Sequence, residues 1–111
     1  MKVINRIKAS DDFALTIKKG RTYKNQSYTI HAIKTDRTYS RVGLSVSTKI
    51  GNAVVRSRVK RQLRAMCDNL INYDKSSFDL VIIVRNKFLD NSFQDNQSLL
   101  RDLLNVQVGV N

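Results

Sequence analysis

Between Arg41 and Arg64 the apolar residues change their period from two to about 3.6, so a strand must run almost directly into a helix. In RVGLSVS, Val42, Leu44 and Val46 alternate with Gly43, Ser45 and Ser47, the pattern of a strand with one buried face. Lys49, Ile50 and Gly51 supply the connection. Asn52 is placed as an N-cap, because its short side chain can accept from backbone N–H groups that a helix start leaves unpaired. The helix then carries Arg56, Arg58, Lys60, Arg61 and Arg64, with no acid before Asp68.

At about 100° per residue, Val55, Val59, Leu63, Met66 and Leu70 fall within a stripe of roughly 80°. Arg56, Lys60 and Arg64 follow one another at i, i+4 and i+8, and Arg58 and Arg61 are expected to continue the same broad outer face. Like charges so spaced repel by about 0.2–0.5 kcal/mol per pair. A merely solvated face would mix Glu with Lys, whereas this run has one sign and is rich in Arg, whose planar fork matches phosphate. The expected partner is a polyanion.

The charge of the whole chain supports this. The net charge is +11 over 111 residues, and the chain has no Glu. Residues 1–64 hold 16 Lys and Arg against 3 Asp, whereas residues 65–111 hold 4 against 6. So one region is strongly positive, the footprint of a nucleic-acid binder. A basic membrane-surface helix would need a broad apolar face with aromatics, and the helix around 53–70 has neither. No run of 18 apolar residues suggests a membrane span, and the N-terminus lacks the apolar core of a secretory signal, so a cytoplasmic location is expected.

The length suits one domain, residues 1–111, with residues 1–9 as an extended or loosely ordered basic arm. Ser10-Asp11-Asp12 reads as a helix start, with Ser10 as cap, Phe13, Ala14 and Ile17 as a short apolar face, and Gly20 as the C′ residue. Residues 26–34 alternate as a strand, and Thr35 to Thr38 form a turn, so this strand is expected to pair antiparallel with the one starting near Tyr39. A further short strand can follow Gly20. Phe78 to Arg85 contains Leu80-Val81-Ile82-Ile83-Val84, the near-continuous apolar run of a strand covered on both faces. Ser92 opens a last helix, whose buried face is Leu99, Leu100, Leu103 and Leu104.

No catalytic constellation stands out. Asp11 and Asp12 are adjacent on a helix and do not face each other. His31 is the only histidine and lacks an evident partner for acid–base work. Cys67 sits beside Met66 near the apolar stripe and reads as a packed core thiol. Thr29, His31, Ser45 and Ser47 make one sheet face unusually polar, with Phe13 and Ile17 available to pack over it. That face is either a cleft for a single strand or simply the solvent side, and the residues alone leave both open.

The run KIGNAVVRSRVKRQLR, with RVGLSVST before it, resembles the signature of the protein subunit of bacterial ribonuclease P. In that family an Ile-Gly-Asn-Ala turn leads to an Arg-Asn-Arg core, then Lys-Arg and a further Arg. Here the core is Arg56-Ser57-Arg58, with Ser57 where Asn is usual. The resemblance implies an α+β single-domain sandwich, a four-stranded mixed sheet with three helices in the order αβββαβα, of the ribosomal-protein type with a left-handed βαβ crossover. It implies that Lys49, Asn52, Arg56, Ser57, Arg58, Lys60, Arg61 and Arg64 bind the catalytic RNA subunit. It also implies that Phe13, Ile17, Thr29, His31, Ser45, Ser47 and Arg85 form a cleft for the 5′ leader of precursor tRNA. Ile17 and His31 stand where the family commonly has aromatics. The implied enzyme is an endoribonuclease whose RNA carries out the hydrolysis with Mg²⁺ that it mainly binds itself. The protein then supplies no catalytic or metal-binding residue and takes no small-molecule substrate. The alternative is a general RNA-binding or ribosome-associated protein without an enzymatic partner.

Overall fold

The computed structural model describes residues 1–108. Its main elements are α1 (Ser10–Lys19), β1 (Arg21–Lys24), β2 (Tyr28–Lys34), β3 (Arg41–Ser45), α2 (Ala53–Leu70), β4 (Phe78–Val84) and α3 (Phe93–Asp102). Short 3-10 turns lie at Val3–Asn5, Tyr73–Lys75 and Asn86–Asp90, and a π-helical turn follows α3 at Leu103–Val108. The expected α+β architecture of three helices and a four-stranded mixed sheet is therefore present.

The strand order is β1-β2-β4-β3. β2 pairs antiparallel with both β1 and β4, while β3 runs parallel to β4. The expected direct pairing of β2 with β3 is thus not made. β4 takes the central place instead, because its run of Leu80 to Val84 needs cover on both faces and partners on both edges. Leu80, Val81 and Ile82 are fully buried.

One face of the sheet carries the main core. Tyr28, Ile30 and Ala32 of β2, Val42 of β3, and Leu80, Ile82 and Val84 of β4 meet Val59, Leu63, Met66 and Cys67 of α2 and Leu100 of α3. Tyr28 is fully buried. Its hydroxyl donates to the Asn96 carbonyl at 2.8 Å, and its ring meets Phe88 edge-on at 5.8 Å between centroids. Asn96, also buried, accepts from the Ser27 hydroxyl at 2.9 Å and donates to the Phe88 carbonyl at 2.8 Å. These bonds fasten α3 to the start of β2 and leave the polar groups satisfied inside the core.

α1 lies on the opposite face. Its start is one residue earlier than the sequence suggests: Ala9, not Ser10, is the N-cap, and no side chain caps the helix. Asp11 and Asp12 lie in the first turn and Lys18 and Lys19 in the last, where each sign suits the helix dipole. Gly20 ends α1 in an extended conformation rather than a left-handed one, at φ −72°. The requirement for glycine is steric, since a Cβ there would lie 2.5 Å from the Thr16 carbonyl oxygen. The N-terminal arm does not stand free. Ile7 is buried and donates its N–H to the Val42 carbonyl at 3.1 Å, and Asn5 donates to the Ser40 carbonyl at 2.9 Å. The arm thereby covers the outer edge of β3.

Candidate nucleic-acid interface

The strand registers define the floor of the polar face. Thr22, His31, Val81 and Gly43 form one row across the sheet, and Lys24, Thr29, Ile83 and Ser45 form the next. Cross-strand partners share a face, so these eight side-chain positions lie together. The rows differ in cover. Val81 is fully buried, whereas Ile83 is only partly so. The Phe13 ring sits directly over Gly43, where a Cβ would meet its Cε2 at 2.6 Å. The row of Thr29 and Ser45 therefore opens beside the edge of α1.

The expected cleft residues divide accordingly. Phe13, Thr29, His31 and Ser45 belong to these rows or to the helix above them. Ile17, one turn after Phe13 on α1, is 38% exposed. Ser47 lies beyond the end of β3 and is exposed. Arg85 directly follows β4 and is held at the end of the sheet, its N–H donating to the Ser27 carbonyl at 2.9 Å and its guanidinium to the Asn25 carbonyl at 2.6 Å. His31 Nδ1 pairs with the Thr22 hydroxyl at 3.1 Å, and partial burial lowers its pKa from the ordinary imidazole value.

A network absent from the sequence reading anchors α1 over this floor. Asp79 of β4, largely buried, binds both Arg37 and Arg41, and Arg41 reaches Asp12 of α1 at 3.4 Å. Arg41 makes two contacts to Asp79, at 3.0 and 2.8 Å. The carboxylate, through hydrogen bonding and charge, holds the Arg41 pKa above its ordinary value. Matching parity of positions 41 and 79 on neighbouring strands is the only sequence signal for this pairing, and it requires the strand order to be known.

Helix α2 supplies the cations. Asn52 caps it as expected, accepting from the Val55 N–H at 3.0 Å. Arg56 donates to the Gly51 carbonyl at 2.8 Å, which ties its guanidinium to the turn. Lys49, Ser57, Arg58 and Arg61 are exposed. Among the described residues, none of Arg56, Arg58, Lys60, Arg61 or Arg64 pairs with a carboxylate. The cations do not share one face, however. Lys60 and Arg64 lie on the β3 flank, where they line a groove of about 150 Å³ with Arg6, Phe13 and Gly43. Arg58 lies on the α3 flank, beside a pocket with Gln62, Leu89 and Phe93. Residues at i, i+4 stay together on a helix, but positions 58 and 60 are separated by about 200°.

Cys67 is fully buried, and burial pushes its thiol up to about 12. Among the described residues no three His, Cys, Asp or Glu gather as a metal site. A cavity of about 820 Å³ lies between the arm and the end of α2; Asp68 and Asp74 line it together with Lys2 and the Met1 ammonium, which pairs with Asp68, so it lacks the one-signed lining of the α2 face.

A helix whose cations at positions 56 to 64 pair with no carboxylate among the described residues, packed on the face of the sheet opposite polar rows that open beside an aromatic ring, defines a small α+β protein that holds a polyanionic chain. The comparisons with known proteins make the class specific. The profile of the Ribonuclease P family matches residues 1–107. The ribonuclease P protein component of Mesoplasma florum is 40% identical over 99 residues, covering 88% of this chain and 90% of that protein. The component from Clostridium novyi is 36% identical over 110 residues, with 94% of each covered. The structure of the Staphylococcus aureus ribonuclease P protein superposes with a TM-score of 0.84 at 29% identity, over 96% of this chain and 98% of that one. For the Thermotoga maritima protein the TM-score is 0.78 at 29% identity, over 89% and 94% of the two chains.

The chain belongs to the family of ribonuclease P protein components. It is accordingly an RNA-binding part of an endoribonuclease complex that acts in tRNA processing, with RNA as its partner in that complex.

Proposed function

We propose that this protein positions precursor tRNA on the RNA subunit of ribonuclease P while that RNA, with Mg²⁺ it binds itself, hydrolyses the phosphodiester and leaves a 5′-phosphate on the mature tRNA. The observation that carries this reading is the shared groove of Phe13 with Lys60 and Arg64. It sets the ring of Phe13, which covers Gly43 at the margin of the polar floor suited to a single strand, beside cations of the helix suited to a folded RNA. Bases of the 5′ leader stack near Phe13 and His31 and pass Thr29, Ser45 and Arg85, with Ile17 and Ser47 at the margins. Lys60 and Arg64 neutralise phosphates at the border. Lys49, Asn52, Arg56, Ser57, Arg58 and Arg61 face the RNA subunit.

In this reading the Mg²⁺ is held by the RNA. Asp79 and Asp12 are committed to arginines, and the described residues gather no other carboxylate cluster. The complex works in the cytoplasm in this reading, and no described helix is long and apolar enough to cross a membrane. A general RNA-binding role without an enzymatic partner is not favoured by the family membership. Reconstituting precursor-tRNA cleavage at low Mg²⁺ tests the proposal. Protein and RNA subunit together should cleave faster than the RNA alone, and the protein alone should not cleave. Cleavage by the protein alone, or no stimulation of the RNA, overturns it.

A further inference from the structure

We propose that the pocket between α2 and the start of α3 takes one unstacked base from the RNA subunit, a contact separate from the leader groove on the other flank of α2. This inference rests on the RNA-subunit reading above. The pocket has a volume of about 190 Å³, room for one heterocycle but not for a strand or helix of another protein. One wall is apolar, where Val55 and Phe93 are partly buried and Leu89 is 49% exposed without cover from the fold; most of the remaining lining is polar, from Arg58, Gln62 and Asn91. An apolar wall that includes an aromatic ring suits stacking, the main way proteins hold splayed RNA bases.

Two amides face the same space. Gln62 follows Arg58 by one helical turn, and its side chain makes no hydrogen bond among the described residues. Asn91 is held in place by donating Nδ2 to the Ser27 hydroxyl at 3.2 Å and the Asn96 carboxamide oxygen at 3.3 Å. Gln62 offers both donors and an acceptor, as reading a base edge requires, whereas Asn91, with its N–H groups engaged, offers its carboxamide oxygen as an acceptor. Arg58 is the only charged residue in the lining, and it is exposed. A neutral base therefore suits the interior, while its phosphate stays at the mouth beside Arg58. The exposed side of α2, with Arg61 and Ser57, leads directly to this mouth, so RNA lying along the helix needs to turn out only one nucleotide.

The test uses the full protein bound to its RNA subunit, with Gln62→Ala and Leu89→Ser as variants; both sites are solvent-accessible, and circular dichroism verifies folding. Base-specific chemical probing should show one unpaired base protected by wild-type protein and reactive again with either variant, the rest of the footprint unchanged. Gln62→Ala should weaken binding roughly 2- to 10-fold, the value of one hydrogen bond. The slope of affinity against salt should stay as in wild type, because no phosphate contact is lost. If both variants bind and protect as wild type does, the pocket holds no base, although the RNA-subunit reading stands. If the slope falls with Gln62→Ala, the contact is to phosphate and the base pocket is overturned. If wild-type protein does not bind the RNA at all, the underlying reading fails first.

Discussion

The ring of Phe13 occupies the space that any side chain at position 43 would need. A Cβ on Gly43 would stand 2.6 Å from Phe13 Cε2 and 2.8 Å from Cδ2, so a missing side chain in β3 sets the height of α1 above the sheet. Gly43→Ala should destabilise the fold by about 1–3 kcal/mol through overpacking, or lift the ring and widen the groove. Urea denaturation measures the first effect. A shift in leader affinity without lost stability would report the second.

Arg61→Ala should weaken binding to the RNA subunit and lower the magnitude of the salt slope by roughly 0.7–0.9 for its lost phosphate contact. Arg61 is exposed and has no protein partner among the described residues, so the melting temperature should not move. Arg56→Ala should show the same change in slope with a small loss of stability, because its bond to the Gly51 carbonyl is also removed. Titrations across several salt concentrations test both, and an unchanged slope would take the residue out of the interface.

Phe13→Ala should reduce affinity for precursor tRNA by about 1–3 kcal/mol of lost stacking while leaving that for mature tRNA nearly unchanged. Comparing leader-bearing and leaderless substrates in the assembled complex measures the difference. Equal losses on both would mean that the ring serves only to pack on Gly43.

His31 should titrate below the ordinary imidazole value of 6.5, because partial burial disfavours its charged form. The sign for stability follows. The unfolded chain takes up the proton first as pH falls, so the contribution of this residue is complete above about 6.5 and is lost as pH falls through the lower, folded value. NMR titration of the ring protons gives the midpoint directly, and a midpoint at or above 6.5 would contradict the burial seen here.

Much of this architecture was legible because neighbouring residues carry it. The change of period at Lys49–Asn52 marks where β3 gives way to α2, and Asn52 announces its own cap. The composition of 80–84 requires a strand covered on both faces. Strand order was not legible, because the hairpin-like spacing of β2 and β3 favours pairing them, and only assembly shows β4 taking the place between. The same non-local fact hides the pairing of Asp79 with Arg37 and Arg41. The buried place of Asn96 was not legible either, since nothing in the sequence shows that Tyr28 and Ser27 arrive beside it. The cations of α2 are plain in the sequence, but a helix spreads positions 56 to 64 around most of its girth, and two flanks meet different surroundings.

The central place of β4 also bears on how the molecule is made. On the ribosome, the cationic helix emerges before the strand that joins the two halves of the sheet. Until Phe78–Val84 is synthesised, β2 and β3 have no common neighbour, and Asp79 is not there to gather Arg37 and Arg41. A nascent chain stalled at residue 75 would thus display its basic residues with no groove beneath them, competent for indiscriminate attraction to ribosomal RNA but not for telling one transcript from another.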